Sequence, residues 1–351
     1  MPDLPDFTKP GSITLDRTLT ADELAQFPAG TQALPIPEGD GWSRSHYKLQ
    51  WGMPVEPFLS IASLGHNGQF GNQLFQYAFA RIYADMTKRP LMTPSWAGTK
   101  LFGLKDRPIV QVYPHFRDLA WREEDSELLK NFAEVPPTLD ISGYFQFHTS
   151  WYRISQHQIR QWFTPLPEIE ATFRSALDAM VGDGTLVAIH LRRGDYGKGM
   201  FFIPPNSVYL DWLSQIWPTL KNPVLYIASD DLPNVLPAFA MFSPKCSADF
   251  PAIQGMEYYS DFWVMTQASR LAISNSTFSF AAAMLNDHMD YAGPRDKWTL
   301  RPVYGGTRLH AFDPWDSIVL TDRDKAEVDT TASLTGNRNV FGVAREEIVN
   351  G

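Results

Sequence analysis

The chain has 351 residues, 44% of them hydrophobic and 13% aromatic, which is enough for two domains with substantial cores and too apolar for wholesale disorder. Its formal net charge is −9 and no basic domain or Lys/Arg-rich tract occurs, which excludes general nucleic-acid binding. The single cysteine, Cys246, excludes an intrachain disulfide, and neither a signal-peptide pattern nor an apolar run of transmembrane length is present, so the expected location is the cytoplasm, free or against the inner face of a membrane.

Residues 1–57 are rich in proline, glycine and charge and read as an extension that wraps the surface. Phe58 to Leu64 reads as a strand, residues 65–72 as a glycine-rich loop, and Gln73 to Met86 as a helix with Leu74, Phe75, Tyr77, Ala78, Phe79 and Ile82 at helical spacing. Strand, glycine loop and helix open a βαβ unit. Residues 90–165 are irregular and aromatic, with helices expected over Glu123–Phe132 and Trp151–Phe163. Pro165-Leu166-Pro167 reads as a domain junction.

From Glu168 the pattern becomes regular. Helices over Glu168–Val181, Ser207–Trp217, Tyr258–Ser269 and Phe278–Asn286 alternate with strands over Leu186–Leu191, Val224–Ala228 and Leu271–Ser274. That alternation predicts a doubly wound α/β domain with a parallel sheet. The expected organisation is an extension over 1–57, an acceptor-side α/β domain over 58–165, a nucleotide-sugar-binding Rossmann-like domain over 166–320, and a solvated tail over 321–351.

Each strand of the second half ends in a polar cluster: His190-Leu191-Arg192-Arg193-Gly194-Asp195, Ser229-Asp230-Asp231, and Ser274-Asn275-Ser276-Thr277. In a parallel sheet these share one edge, the edge at which open α/β sheets bind ligands. Guanidinium forks match phosphate oxygens. Asp230 or Asp231 can accept from ribose hydroxyls or a guanine edge, and small hydroxyl residues opening a helix leave backbone N–H groups for phosphate. Together they describe a nucleotide-diphosphate site. Each cluster also has a plainer reading: a salt-bridged turn for Arg-Arg-Gly-Asp, a helix cap for Asp230-Asp231, and another for Ser276 or Thr277.

In these residues the chain resembles the α-1,2-fucosyltransferases of glycosyltransferase family 11. The family's His-x-Arg-Arg-x-Asp motif is matched by His190, Arg192, Arg193 and Asp195. Its Gly-Asn-Gln-Leu/Met-Phe-Gln-Tyr segment is matched by Gly71 to Tyr77, and its Ile-Ser-Asn-Ser-Thr-Phe-Ser segment by Ile273 to Ser279; Ser229-Asp230-Asp231 looks like the remaining motif. The resemblance implies a GT-B fold, two Rossmann-like domains facing across a cleft, with the donor on the C-terminal one. It implies GDP-β-L-fucose as donor, the 2-hydroxyl of a galactose-terminated glycan as acceptor, inversion at the anomeric carbon and no metal ion. It places donor contacts at His190, Arg192, Arg193, Asp230, Asp231, Asn275, Ser276, Thr277, Phe278, Gly71, Asn72 and Gln73.

Without a metal, a fixed cation must stabilise the leaving β-phosphate, and Arg193, with Arg192, is the candidate. Asp195 is either the base for the acceptor hydroxyl or the clamp that holds an arginine. His66, Tyr196, Phe201 and Phe202 are the expected acceptor contacts, with residues 196–204 as a glycine-rich acceptor loop. Asn275-Ser276-Thr277 is formally a glycosylation sequon, but it falls at a strand end and reads as a binding loop. Asp322-Arg323-Asp324 has the spacing of metal-binding sugar transferases, but without a nucleotide-binding pattern ahead of it reads as a charged tail. The competing functions are transfer from another GDP- or UDP-sugar, and non-catalytic binding of a nucleotide sugar or glycan.

Overall fold

The computed structural model describes residues 6, 8–17, 23, 25–39, 41–53, 55–110, 113–288 and 299–322. The expected tail beyond Asp322, with Arg323 and Asp324 of the Asp-x-Asp triplet, lies outside the described residues.

The N-terminal stretch carries regular structure that its composition does not advertise. Strands β1 (Gly11–Leu15), β2 (Gln32–Glu38) and β3 (Gly41–Trp51) form an antiparallel sheet with β3 in the middle. Proline lacks the N–H that a ladder needs, so Pro35 and Pro37 read against a strand. The structure resolves this by placing β2 at a sheet edge, with a register shift between the two prolines. Ala33, Tyr47 and Leu49 form the buried cluster beneath, flanked by Ile13 and Leu15.

The described residues divide into two compact units. One comprises those of Met1–Gly68 and Phe75–Phe145; the other comprises Gln69–Leu74 and those from Gln146 onward. Residues 146–165, which the sequence groups with the first half, thus cluster with the second.

The first unit is built on a parallel sheet of β4 (Phe58–Ser60), β5 (Leu91–Thr93), β6 (Arg107–Pro108), β7 (His115–Arg117) and β8 (Thr138–Ser142), in the order β6-β5-β4-β8-β7. Helix α1 (Phe70–Met86) follows β4. Phe79, Ala80 and Tyr83 are completely buried and Leu74, Tyr77 and Ala84 nearly so. A helix apolar on nearly every face is a core helix rather than an amphipathic one. The single helix expected over Glu123–Phe132 is instead a short α-turn, Glu127–Lys130, between two 3₁₀ turns, its start capped by Ser126.

The second unit centres on β9 (Leu186–Leu191), β10 (Val224–Ser229), β11 (Arg270–Ala272), β12 (Thr299–Pro302) and β13 (Leu309–Ala311), ordered β10-β9-β11-β12-β13; only β13 runs antiparallel to its neighbour. All six residues of β9, His190 among them, are buried, as a strand covered on both faces of a parallel sheet is. Its alternation assigns two faces. Val187, Ile189 and Leu191 pack with Tyr209, Trp212, Leu213 and Ile216 of α3 (Asn206–Ile216), which follows α2 (Pro167–Val181) in the chain. His190 points the other way, toward α5 (Thr277–Leu285), which follows α4 (Tyr258–Thr266). The helix expected over Trp151–Phe163 is interrupted, running Ser150–Arg153 and then Gln156–Trp162. Among the described residues no helix is long and apolar enough to cross a membrane.

Candidate functional site

The rigid apolar strand β9 fixes where Arg192 and Arg193 emerge, and a carboxylate from the next strand fixes how. Asp230 follows β10 and accepts the Arg193 backbone N–H at 2.7 Å through Oδ1. Its Oδ2 lies 3.1 Å from Nη1 of Arg192. Nη2 of Arg192 pairs with Asp195 at 2.8 Å, and its guanidinium lies over the Tyr196 ring, 5.6 Å from the centroid. Arg192 is therefore held by two carboxylates and an aromatic face. Gly194 leaves room for this arrangement: an added Cβ would meet Oδ2 of Asp230 and displace the carboxylate.

Arg193 is treated differently. Among the described residues its guanidinium makes two hydrogen bonds, from Nη2 to Asn206 Oδ1 at 2.6 Å and from Nη1 to the Arg192 carbonyl at 3.2 Å, and no ion pair. Five N–H donors fan out from a guanidinium, so three remain for a ligand. Burial lowers its pKa, opposed by Tyr209, Asp230 and Asp231; the group stays cationic, since arginine begins so far above neutrality.

Asp231 sits before the short helix Leu232–Val235, and both its oxygens accept from the Asn234 side-chain amide. Of the two acidic residues read as ribose or guanine acceptors, Asp230 thus grips the arginine segment and Asp231 its own loop.

His190 is buried, with Nδ1 2.8 Å from the hydroxyls of both Ser274 and Ser279. Burial, with Arg192 and Arg193 nearby, pushes its pKa down to about 3, so the imidazole is neutral at ordinary pH. It ties β9 to the turn entering α5, and its ring lies 5.4 Å from that of Phe278.

That turn is itself tightly bound. Asn275 is 2% exposed and both ends of its side-chain amide are used. Nδ2 donates to the carbonyls of Met200 and Thr321, while Oδ1 accepts from the N–H and hydroxyl of Thr321. The sequon nitrogen is consequently inaccessible, and the residue braces the 196–204 loop rather than offering its amide outward. Ser276 caps α5, accepting from the Phe278 N–H at 3.4 Å, and the Thr277 hydroxyl donates to Asn72 at 2.8 Å.

Gly71 and Asn72, expected at the end of a glycine loop, belong with Gln73 to the first turn of α1. The glycine serves close packing: an added Cβ at Gly71 would lie 2.5 Å from the Phe278 nitrogen and 2.6 Å from its Cα. Asn72 Oδ1 accepts from Thr277 and, at 2.7 Å, from Gln146, and Phe70 packs on Tyr258, Tyr259 and Phe262. Gln73 is buried.

Of the expected acceptor contacts, Tyr196 is half-buried, donates to the Asn275 carbonyl at 3.1 Å and packs its ring 5.3 Å from the exposed Phe201. Phe202 packs on Tyr304 at 5.9 Å. His66 is exposed in the first unit, in the loop after β4. Three residues that the sequence reading left out of the site shape it: Asn206 and Thr321, which no local signal marks, and Ser279, which lies within a quoted motif.

The family model Glycosyl transferase family 11 matches residues 61–290. The chain is 25% identical over 264 residues to an α-1,2-colitosyltransferase of Escherichia coli, an alignment covering 66% of this chain and 89% of that protein. It is 27% identical over 251 residues to galactoside α-(1,2)-fucosyltransferase 1 of Gorilla gorilla gorilla, covering 62% of this chain and 63% of that longer protein. Its fold is similar to that of a mutant of Arabidopsis thaliana FUT1 solved in complex with GDP, with a TM-score of 0.50 at 13% identity over 72% of each chain. Two units on parallel sheets and this likeness give the GT-B class expected from the motifs.

Two outcomes follow from the packing. Gly71→Ala forces α1 and α5 apart at the backbone, an overpacking that costs about 1–3 kcal/mol; calorimetry will show a melting temperature lower by several degrees, and an unchanged value refutes the close-approach reading. For His190 the folded pKa lies below the unfolded one, so its contribution is intact above about pH 6.5 and is lost as pH falls toward about 3. Urea titrations between pH 4 and 6 will show the acid-side slope of stability lowered in His190→Gln by up to about 1.4 kcal/mol per pH unit.

Proposed function

Because the chain belongs to glycosyl transferase family 11, and is thus a glycosyltransferase, we propose that it moves L-fucose from GDP-β-L-fucose to the 2-hydroxyl of a galactose-containing glycan. The product is an α-1,2 linkage formed with inversion and without a metal ion. The observation that carries this reading is Arg193: a guanidinium fixed by Asn206 and by its own backbone bond to Asp230, yet lacking an acidic partner among the described residues. The acceptor hydroxyl oxygen bonds to C1 as the C1–O bond to the diphosphate breaks, and the hydroxyl proton passes to water. The bonding pair leaves with the β-phosphate, and Arg193 stabilises the charge that collects there. The N-terminus of α5, with its first-turn N–H groups, supplies further positive potential at the same sheet edge.

The ion pair of Asp195 with Arg192 supports the clamp over the base. Asp195 and Asp230 act on the donor through the arginines they hold, and the neutral, buried His190 positions the strand end.

The donor has a second candidate. The Escherichia coli relative is matched over nearly its whole length and is named for colitose, the 3-deoxy relative of L-fucose. Such a sugar would use the same diphosphate grip and differ at one hydroxyl.

Incubation with GDP-fucose or GDP-colitose and a panel of galactosides, followed by NMR assignment of the product linkage, tests the proposal. An α-1,2-fucosylgalactoside is expected; saturable nucleotide binding without acceptor-dependent GDP release would leave a binding protein instead. Arg193→Ala is expected to lower kcat by about 10²–10³, the loss typical of one preorganised donor to a developing oxyanion. Arg193→Lys will not restore it, since an ammonium lacks the planar fork. Near-wild-type kcat in either variant removes Arg193 from this role.

A further inference from the structure

Arg192 and Arg193 are adjacent, yet their guanidiniums are held by opposite kinds of group. Arg192 takes the carboxylates of Asp195 and Asp230. Arg193 takes an amide oxygen, Asn206 Oδ1 at 2.6 Å, and a backbone carbonyl, that of Arg192 at 3.2 Å. The phenol of Tyr209, which also acts on Arg193, is completely buried and donates to the Ile273 carbonyl at 3.2 Å. Burial pushes its pKa up, so it too is neutral. Among the described residues, every group that bonds the Arg193 guanidinium is uncharged.

Asn206 is the first residue of α3, and the chain reaches it through Pro204 and Pro205, whose rings fix φ. Pro204 is buried against the turn between β12 and β13: an added Cβ at Gly306 would lie 3.0 Å from its Cα. The backbone that carries Asn206 is therefore well placed. No side chain caps α3, and its first turn holds no acidic residue, whereas α5 is capped by Ser276. The positive end of α3 thus stands beside the positive guanidinium of Arg193 with no carboxylate bonded to either among the described residues. Aspartate has the size and shape of asparagine and would answer both, as an ion partner for Arg193 and as a negative group at the helix start. It would also consume the charge that Arg193 holds for a phosphate.

We propose that Asn206 is a positioning residue whose neutrality is its function: its amide oxygen orients the Arg193 guanidinium and, carrying no charge, leaves that cation free for the β-phosphate of the donor. The proposal rests on the reading of Arg193 as a diphosphate ligand. Asn206 acts on the ligand through the arginine and lies outside every quoted motif. The place is filled at the expense of stability, since the carboxylate that would bind Arg193 more firmly would also blunt it.

Asn206→Asp and Asn206→Ala separate this role from a structural one. Aspartate keeps the shape and the hydrogen-bond acceptor, so a merely structural Asn206 predicts Asn206→Asp close to wild type and Asn206→Ala the worse variant. The proposal predicts the opposite order for anions. The full chain is titrated calorimetrically with GDP and, separately, with inorganic pyrophosphate. Affinity is expected to fall by about tenfold or more in Asn206→Asp, the scale of one hydrogen bond to a charged group. It falls by less in Asn206→Ala, which loses the orientation of Arg193 and keeps its charge. The melting temperature of Asn206→Asp is expected at or above that of wild type, because the new carboxylate pairs with Arg193 and complements the start of α3. A more stable protein that binds anions less tightly is an outcome no structural role produces. Wild-type affinity in Asn206→Asp overturns the proposal, as does a larger loss in Asn206→Ala than in Asn206→Asp, or a melting temperature of Asn206→Asp below that of Asn206→Ala. If pyrophosphate binds and follows the predicted order while GDP does not bind the wild type, the guanosine donor is removed and the role of Asn206 stands; binding of neither probe overturns both.

Discussion

The carboxyl edge of the second sheet depends on the carboxylate of Asp230. One oxygen fixes the backbone of Arg193 and the other takes the guanidinium of Arg192. A single group thereby joins the ends of β9 and β10 and makes the two arginines unequal. Simple counting would reject the edge as an anion site, since two arginines stand near Asp195, Asp230 and Asp231. Distance decides otherwise. At an effective dielectric of about 20, unit charges interact with about 5 kcal/mol at 3 Å and about half that at 7 Å. Asp195 and Asp230 spend their short contacts on Arg192, and Asp231 spends its own on Asn234. Arg193 is left with its charge and most of its donors directed at nothing in the described protein. The absence of a side chain at Gly194 is what lets Asp230 come this close.

A second constraint stands behind it. The turn into α5 is held from three directions: His190 grips Ser274 and Ser279, Thr321 and Met200 grip Asn275, and Asn72 grips Thr277. A helix N-terminus binds an anion well only if its N–H groups are already aimed, because ordering them on binding costs entropy. The buried, neutral state of His190 fits that task, since an imidazolium there would be an uncompensated cation against two others.

The parts legible in the sequence were those whose environment is local. The bounds of β9 are legible because five apolar residues and one histidine, all buried, form a contiguous signal. The arginines, the aspartates after β10 and the serines before α5 were legible because strand ends in a parallel sheet fall on one edge. What escaped depends on partners far along the chain. Asn275 looks like a ligand residue until Thr321, 46 positions on, claims both ends of its amide. Gly71 looks like a loop glycine because nothing nearby reveals that the backbone of Phe278 will press against it. The N-terminal sheet escaped because prolines in β2 argue against a strand, and only sheet order shows that β2 is an edge.

The two units share a construction and differ in what they display. In each, a five-stranded and mainly parallel sheet is the scaffold, but β9 is buried throughout whereas β6 and β7 of the first unit are partly or largely exposed. The second unit ends its strands in guanidinium, amide and helix N-terminus, groups that answer phosphate. The first carries its polar groups within the sheet, with Asp140 inside β8 bonded to Ser60 at the end of β4 and facing His115 at the start of β7.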